Sequence, residues 1–305
     1  MTTLPASVQI VEVLLRDGLQ NERTLVTTEQ KVAWAATLVA AGARRIEAVS
    51  FVHPRLVPAM ADAEAVMANV ERVAGVRWSG LVLNRRGLER ALVAGVDEVN
   101  VVVPASDTFS RRNQNMSTEE GVDTALELVE QARASGLFTT VTLATAFGCP
   151  FEGEVAPDRV QQLAARLVEA RPDEICLADT IGVGVPGQVA RLTALVRDVA
   201  GPGTALRFHF HDTRNTGIAN AWEAARNGAE VLDASVGGFG GCPFAPRATG
   251  NIATEDLAFM LERSGVSTNL QIDKLVAVAA GVGEVLGKTP PSSLSRADEF
   301  PPRRP

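Results

Sequence analysis

The stretch EVNVVVPASDTFSRRNQNMSTEEGVDTALELVEQARASGLFTTVTLATA, residues 98–146, decides the fold. It opens on a β-branched run, "EVNVVVPA" (98–105), and closes on another, "FTTVTLATA" (138–146). Between them "STEEGVDTALELVEQARASG" (117–136) starts on Ser117, carries Glu120 three residues later and stops at Gly136. Those are helix-capping signals. Its apolar residues recur at spacings of three and four, which gives a helix one buried stripe. The unit is strand, helix, strand.

The same alternation runs outward in both directions, about eight times in all. Upstream lie the strand candidates "VQIVEV" (8–13), "RRIEAVSF" (44–51) and "VRWSGLVL" (76–83), with the capped segment "TTEQKVAWAATLVAAG" (27–42) between the first two. Downstream come "EICLADT" (174–180), "ALRFHFHDT" (205–213) and "EVLDASVGG" (230–238). Regular β-then-α alternation calls for a parallel sheet with crossover helices. Eight units in this length predict a closed (β/α)8 TIM barrel, of the α/β class. An open doubly wound sheet is the alternative, weakened because no GxGxxG follows the first strand. Two additional C-terminal helices are expected at 254–265 and 270–287, with apolar faces that a homodimer could use. Residues 1–287 then form one catalytic domain, and the Pro-rich, polar 288–305 a loose tail.

At 305 residues the chain can bury a full core, and 46% hydrophobic with 21% charged residues is ordinary globular composition. A net charge of −7 argues against a nucleic-acid partner. Three scattered cysteines (Cys149, Cys176, Cys242) make neither a disulfide framework nor a thiolate zinc site, and fit a reducing cytoplasm. No apolar run is long enough for a membrane span, and "MTTLPASVQIVEV" lacks the pattern of a secretory signal. A cytoplasmic protein with no membrane partner is expected.

In a barrel the chemistry sits where strands end. The first strand runs into Arg16-Asp17, the second carries Glu47, the sixth ends Asp179-Thr180, and the seventh carries His209, His211 and Asp212. His209 and His211, two of only three histidines, are two residues apart in a strand and share one face. Two imidazoles with oxygen donors suit Mg2+ or Mn2+. Asp17 and Asn251 are reasonable donors, but spacing alone does not choose them over Asp179 or Glu47. "RDG" could equally be a turn with a structural ion pair. After the eighth strand, "GGFGGCP" has four glycines in five positions before Cys242, which reads as a lid bearing a proton-transfer thiol.

Six segments in order carry a resemblance: "VEVLLRDGLQNE" (11–22), "IEAVSFVHP" (46–54), "FGCPFEG" (147–153), "LADTIGVGVPG" (177–187), "HFHDT" (209–213) and "GGFGGCPFAPRATGNIATEDL" (237–257). Together they resemble the 3-hydroxy-3-methylglutaryl-CoA lyases, within the wider group of metal-dependent TIM-barrel lyases and aldolases. The resemblance implies cleavage of 3-hydroxy-3-methylglutaryl-CoA, or a close 3-hydroxy-3-alkylglutaryl-CoA, to acetyl-CoA and a 3-oxo acid. It implies Asp17, His209, His211 and Asn251 as ligands of a divalent metal. Arg16 matches the arginine on the thioester carbonyl oxygen, Glu47 a carboxylate beside the metal, and Cys242 the loop thiol. Gln20 and Ser50 match polar substrate-pocket positions, and either Asp17 or His209 could act as base. Arg111 and Arg112 could meet the phosphates of the acyl-CoA.

The chain also departs from the family pattern. Leu14-Leu15 stand where Gly-Pro is usual, and Arg214-Asn215-Thr216 where Tyr-Gly-Gln is usual. Phe151 and Phe244 fill frequent tyrosine positions, and Arg247 stands where a small residue is common. The competing readings are an aldolase or Claisen condensing enzyme of the same barrel group, and a non-catalytic acyl-CoA-binding barrel.

Overall fold

The computed structural model describes residues 4–241, 250–298 and 300. Eight parallel strands close into a barrel in chain order. They are β1 (Gln9–Glu12), β2 (Arg45–Ser50), β3 (Arg77–Val82), β4 (Glu98–Pro104), β5 (Phe138–Ala144), β6 (Glu174–Asp179), β7 (Ala205–Phe210) and β8 (Val231–Ala234). Closure is made by β8 pairing back onto β1, with Gln9 opposite Val231 and Glu12 opposite Ala234. The TIM barrel expected from the alternation is what forms, and the open-sheet alternative falls away.

The helices obey their local signals. Thr27 and Gln30 cap the helix Thr28–Ala40 reciprocally, and Ser117 and Glu120 do the same for Thr118–Ala134. Outward strand residues such as Val99, Val101, Val103, Ile175, Leu177 and Phe208 are buried against the surrounding helices. The inward positions are different. Arg45 and Glu47, Glu98 and Asn100, Thr140 and Thr142, and Arg207 and His209 are two apart on their strands, so each pair shares a face. The barrel centre is therefore polar where branched apolar layers are usual. Arg45 sits deepest, forked onto Glu98 (2.7 and 2.7 Å) and reaching Glu174 (2.7 Å).

In the helices Thr254–Arg263 and Ile272–Leu286 the apolar residues Leu257, Leu261, Leu275, Val278, Ala279 and Val282 are buried within the chain. In the segment expected as a loose tail, a short turn at Leu294–Arg296 follows Ser293, and the Ser293 and Leu294 amides both donate to Asp256 at 2.8 Å. Among the described residues no helix is long and apolar enough to cross a membrane.

Candidate metal centre and substrate cavity

Arg16 and Asp17 sit on a single π-turn, Leu14–Gly18, in which the Gly18 amide donates to the Val13 carbonyl at 3.1 Å. Isolated π-turns recur at functional sites because the extra residue re-aims side chains. Leu14 and Leu15 are buried, which anchors the turn and leaves the next two residues to face the barrel mouth. A side chain at 18 would meet Ser235 Oγ at 2.8 Å, so the turn needs its glycine.

At the mouth, Asp17, His209 and His211 present ligand atoms that all lie within 4.8 Å of one another. Asp17 Oδ2 is 3.8 Å from each histidine Nε2, and the two Nε2 atoms are 3.1 Å apart. His209 Nδ1 faces Asp233 Oδ2 at 3.0 Å. A carboxylate can only accept, so Nδ1 carries the proton and Nε2 presents its lone pair to the centre. Asn251 joins by an isolated bridge to His211 and donates from Nδ2 to Asp17 (2.8 Å) and to the Phe239 carbonyl (3.0 Å). That leaves its Oδ1 as the atom that could face an ion.

The alternatives that spacing left open are otherwise engaged. Asp179 accepts the Val183 and Gly184 amides at 2.9 and 2.8 Å, fixing the loop after β6. Glu47 lies one layer below, holding Arg16 Nε and accepting from Asn100 at 2.8 Å. Arg16 Nη1 meets Asp17 Oδ1 at 2.5 Å, so the arginine is clamped between two carboxylates.

The electrostatics follow from burial and partners. Burial alone would raise the Asp17 carboxyl, but Arg16, His209, His211 and Asn251 together hold it well below the usual carboxylate range. Burial would push His209 down; its hydrogen bond to Asp233 and the charges of Asp17 and Asp233 outweigh that and raise it. Burial and the neighbouring His209 push His211 down to about 4. The two imidazoles are thus pushed in opposite directions.

Five carboxylates (Asp17, Glu47, Glu98, Glu174, Asp233) and four arginines (Arg16, Arg45, Arg77, Arg207) are linked at the barrel centre, Arg77 reaching Glu98 at 3.9 Å from a partly exposed position. Above them Asp17, His209 and His211 offer one carboxylate and two imidazole donors, a set that fits a divalent ion.

Above this centre opens a cavity of about 600 Å3. Its lining includes the polar Arg16, Asp17, Gln20, His209 and His211 and the apolar Leu81, Val102, Ala144 and Ala178. Arg111 and Arg112 stand at its rim, Arg112 over the Phe151 ring at 4.1 Å. Gln20 Oε1 is buried and has no hydrogen-bond partner among the described residues, as a substrate contact should be. Ser50 is buried in β2 and does not line the cavity. Arg214, the departure that left the substrate open, donates to the Ile181 and Gly182 carbonyls (3.2 and 2.8 Å) and stays outside the lining.

The glycine segment approaches closely. Gly240 has φ +105°, and a Cβ there would lie 2.6 Å from Asn251 Nδ2 and 2.7 Å from the Asp17 carbonyl. Cys242, Phe244 and Arg247 lie outside the described residues. Sequence reading passed over Asp233, Asn100 and Arg207. The signal was there: each is a polar residue in an apolar strand, and Arg207 shares a face with His209.

Fold and site together define a (β/α)8-barrel protein with a candidate divalent-metal centre under an acyl-sized cavity. The chain belongs to the HMGL-like family, whose model matches residues 7–282. It is 43% identical to a hydroxymethylglutaryl-CoA lyase of Bacillus subtilis, over 94% of this chain and 96% of that one. It is 41% identical to the mitochondrial hydroxymethylglutaryl-CoA lyase of Mus musculus, over 97% and 91%. Among solved structures, an HMG-CoA lyase from Acinetobacter baumannii in complex with coenzyme A and 3-methylmalate superposes with a TM-score of 0.93. It is 38% identical and covers 100% of this chain and 99% of its own.

Proposed function

We propose that this protein is a carbon–carbon lyase that cleaves 3-hydroxy-3-methylglutaryl-CoA to acetyl-CoA and acetoacetate, using Mg2+ or Mn2+ in a single catalytic domain. The observation that carries the reading is Arg16 and Asp17 on one π-turn, facing His209 and His211 across a closed cavity floor. The names of its relatives, including one in complex with coenzyme A, support the substrate.

The bond between C2 and C3 breaks when the C3 hydroxyl loses its proton and the C2–C3 electrons move into the thioester, giving a ketone and an enolate. A bound divalent ion supplies Lewis acidity that makes the hydroxyl easier to deprotonate. Asp17 or His209 takes the hydroxyl proton. Arg16, fixed by Glu47 and Asp17, faces the thioester oxygen on which charge develops, the largest demand of the step. Cys242 then delivers a proton to the enolate carbon and completes acetyl-CoA. Gln20 orients the acyl group. Arg111 and Arg112 meet the CoA phosphates at the rim, and Leu81, Val102, Ala144 and Ala178 receive the C3 alkyl group.

The test is turnover of metal-reconstituted protein on a panel of 3-hydroxy-3-alkylglutaryl-CoA esters, with acetyl-CoA release as the readout. Cleavage that EDTA abolishes and Mg2+ or Mn2+ restores is expected. No cleavage of any ester would overturn the reading.

A further inference from the structure

Arg207 occupies the centre of the barrel, fully buried on β7, one inward position below His209. Its Nε and Nη2 donate to Asp233 at 2.5 and 2.9 Å, and the same Asp233 oxygen that accepts from Nη2 faces His209 Nδ1. Nη2 also lies 3.7 Å from Glu47 Oε2, and Glu47 is the carboxylate that holds Arg16 Nε. Nη1 stands 3.5 Å from both Glu98 and Glu174, which Arg45 already forks, and makes no hydrogen bond of its own.

Two carboxylates thus converge on one guanidinium, and each orients a different arm of the site. Asp233 fixes the ring of His209; Glu47 fixes Arg16. Without the cation between them the two carboxylates repel, and neither arm keeps its place. We infer that Arg207 is a positioning residue that couples the histidine facing the metal to the arginine facing the thioester. A lysine cannot replace it, because a point charge lacks the planar fork that reaches Asp233 twice and Glu47 once.

This role rests on the metal-dependent reading of the site, so the readout is taken without substrate. Mn2+ affinity is measured by electron paramagnetic resonance and calorimetry on wild type, Arg207→Lys and Arg45→Lys. Arg45 belongs to the same charge network but touches neither Asp233 nor Glu47. Arg207→Lys keeps the charge and loses the fork, so Mn2+ binding should weaken about 10- to 100-fold, the usual effect of disturbing a partner behind a metal-facing histidine. Turnover number should fall more than KM rises. Arg45→Lys should lower Tm and leave Mn2+ affinity within about twofold of wild type.

Equal Mn2+ binding by wild type and Arg207→Lys overturns the inference, as does equal weakening by the two lysine variants. If Arg207→Lys does not fold, Arg207→Gln decides by sign. Removal of a positive charge alone would tighten Mn2+, so weaker binding supports positioning, and equal or tighter binding refutes it. A wild-type protein that binds Mn2+ but cleaves no ester overturns the proposed reaction and leaves Arg207's role standing. A wild-type protein that binds no Mn2+ overturns both.

Discussion

Glu12, at the end of β1, is the carboxyl whose titration should be visible in the stability of the whole barrel. It is buried, and Oε1 accepts the Leu14 amide at 2.9 Å and the Val236 amide at 3.0 Å. Oε2 accepts from Thr254 Oγ1 at 2.6 Å. One side chain therefore ties the start of the π-turn bearing Arg16 and Asp17 to the start of the glycine segment. Burial pushes its pKa from 4.5 up to about 7, against the lowering effect of those hydrogen bonds. The native state consequently holds a proton that the unfolded chain has released between those two values. More protons bound in the native state means that stability falls as pH rises through the window, and the loss is complete above about pH 7. Integrated from pH 5 to pH 8, the two pKa values give a loss of about 2.5 kcal/mol. Glu12→Gln keeps an acceptor for both amides and cannot ionise. In urea unfolding with EDTA present, wild type should lose about 2.5 kcal/mol more than the variant between pH 5 and pH 8. At pH 8 the variant should be the more stable protein. Equal pH dependence in the two would show that Glu12 is ionised in the native barrel and would refute the reasoning.

Metal binding at pH 6 should release one proton. Asp233 and Asp17 raise His209, so its proton competes with the ion, whereas His211, at about 4, is already neutral there. Calorimetry of Mn2+ binding in buffers of different ionisation enthalpy counts the protons; two released at pH 6 would contradict the assignment. Arg16→Gln should cut turnover about 10²- to 10³-fold, the usual loss of a donor to a developing oxyanion, with Mn2+ binding no weaker than in wild type because a positive charge beside Asp17 is gone. Coupled acetyl-CoA release and a metal titration on the same preparation separate the two effects. Cys242→Ser should lower turnover about 10²- to 10⁴-fold if its thiol delivers the proton, and unchanged turnover would remove it from the reaction.

The sequence made the barrel legible because each unit carries its own local rule: a β-branched run, a capped helix, a stop. The two histidines were legible for a similar reason, since period two puts them on one face whatever surrounds them. The choice among Asp17, Asp179 and Glu47 was not legible, because it depends on which carboxylate the backbone already engages. Asp179 is drawn off by two amides of its own loop and Glu47 by an arginine 31 residues away. Asp17 is the carboxylate that closure brings within 3.8 Å of both imidazoles. Arg214 shows the converse. It breaks the family pattern beside the histidines, yet its guanidinium turns to two carbonyls of the neighbouring loop, so the departure does not reach the cavity. The same distinction explains the polar centre. Each charged strand residue looks anomalous in its own segment. Closure of the barrel brings residues as far as 129 positions apart (Arg45 and Glu174) into contact, and the anomalies become one ion-pair network beneath the cavity.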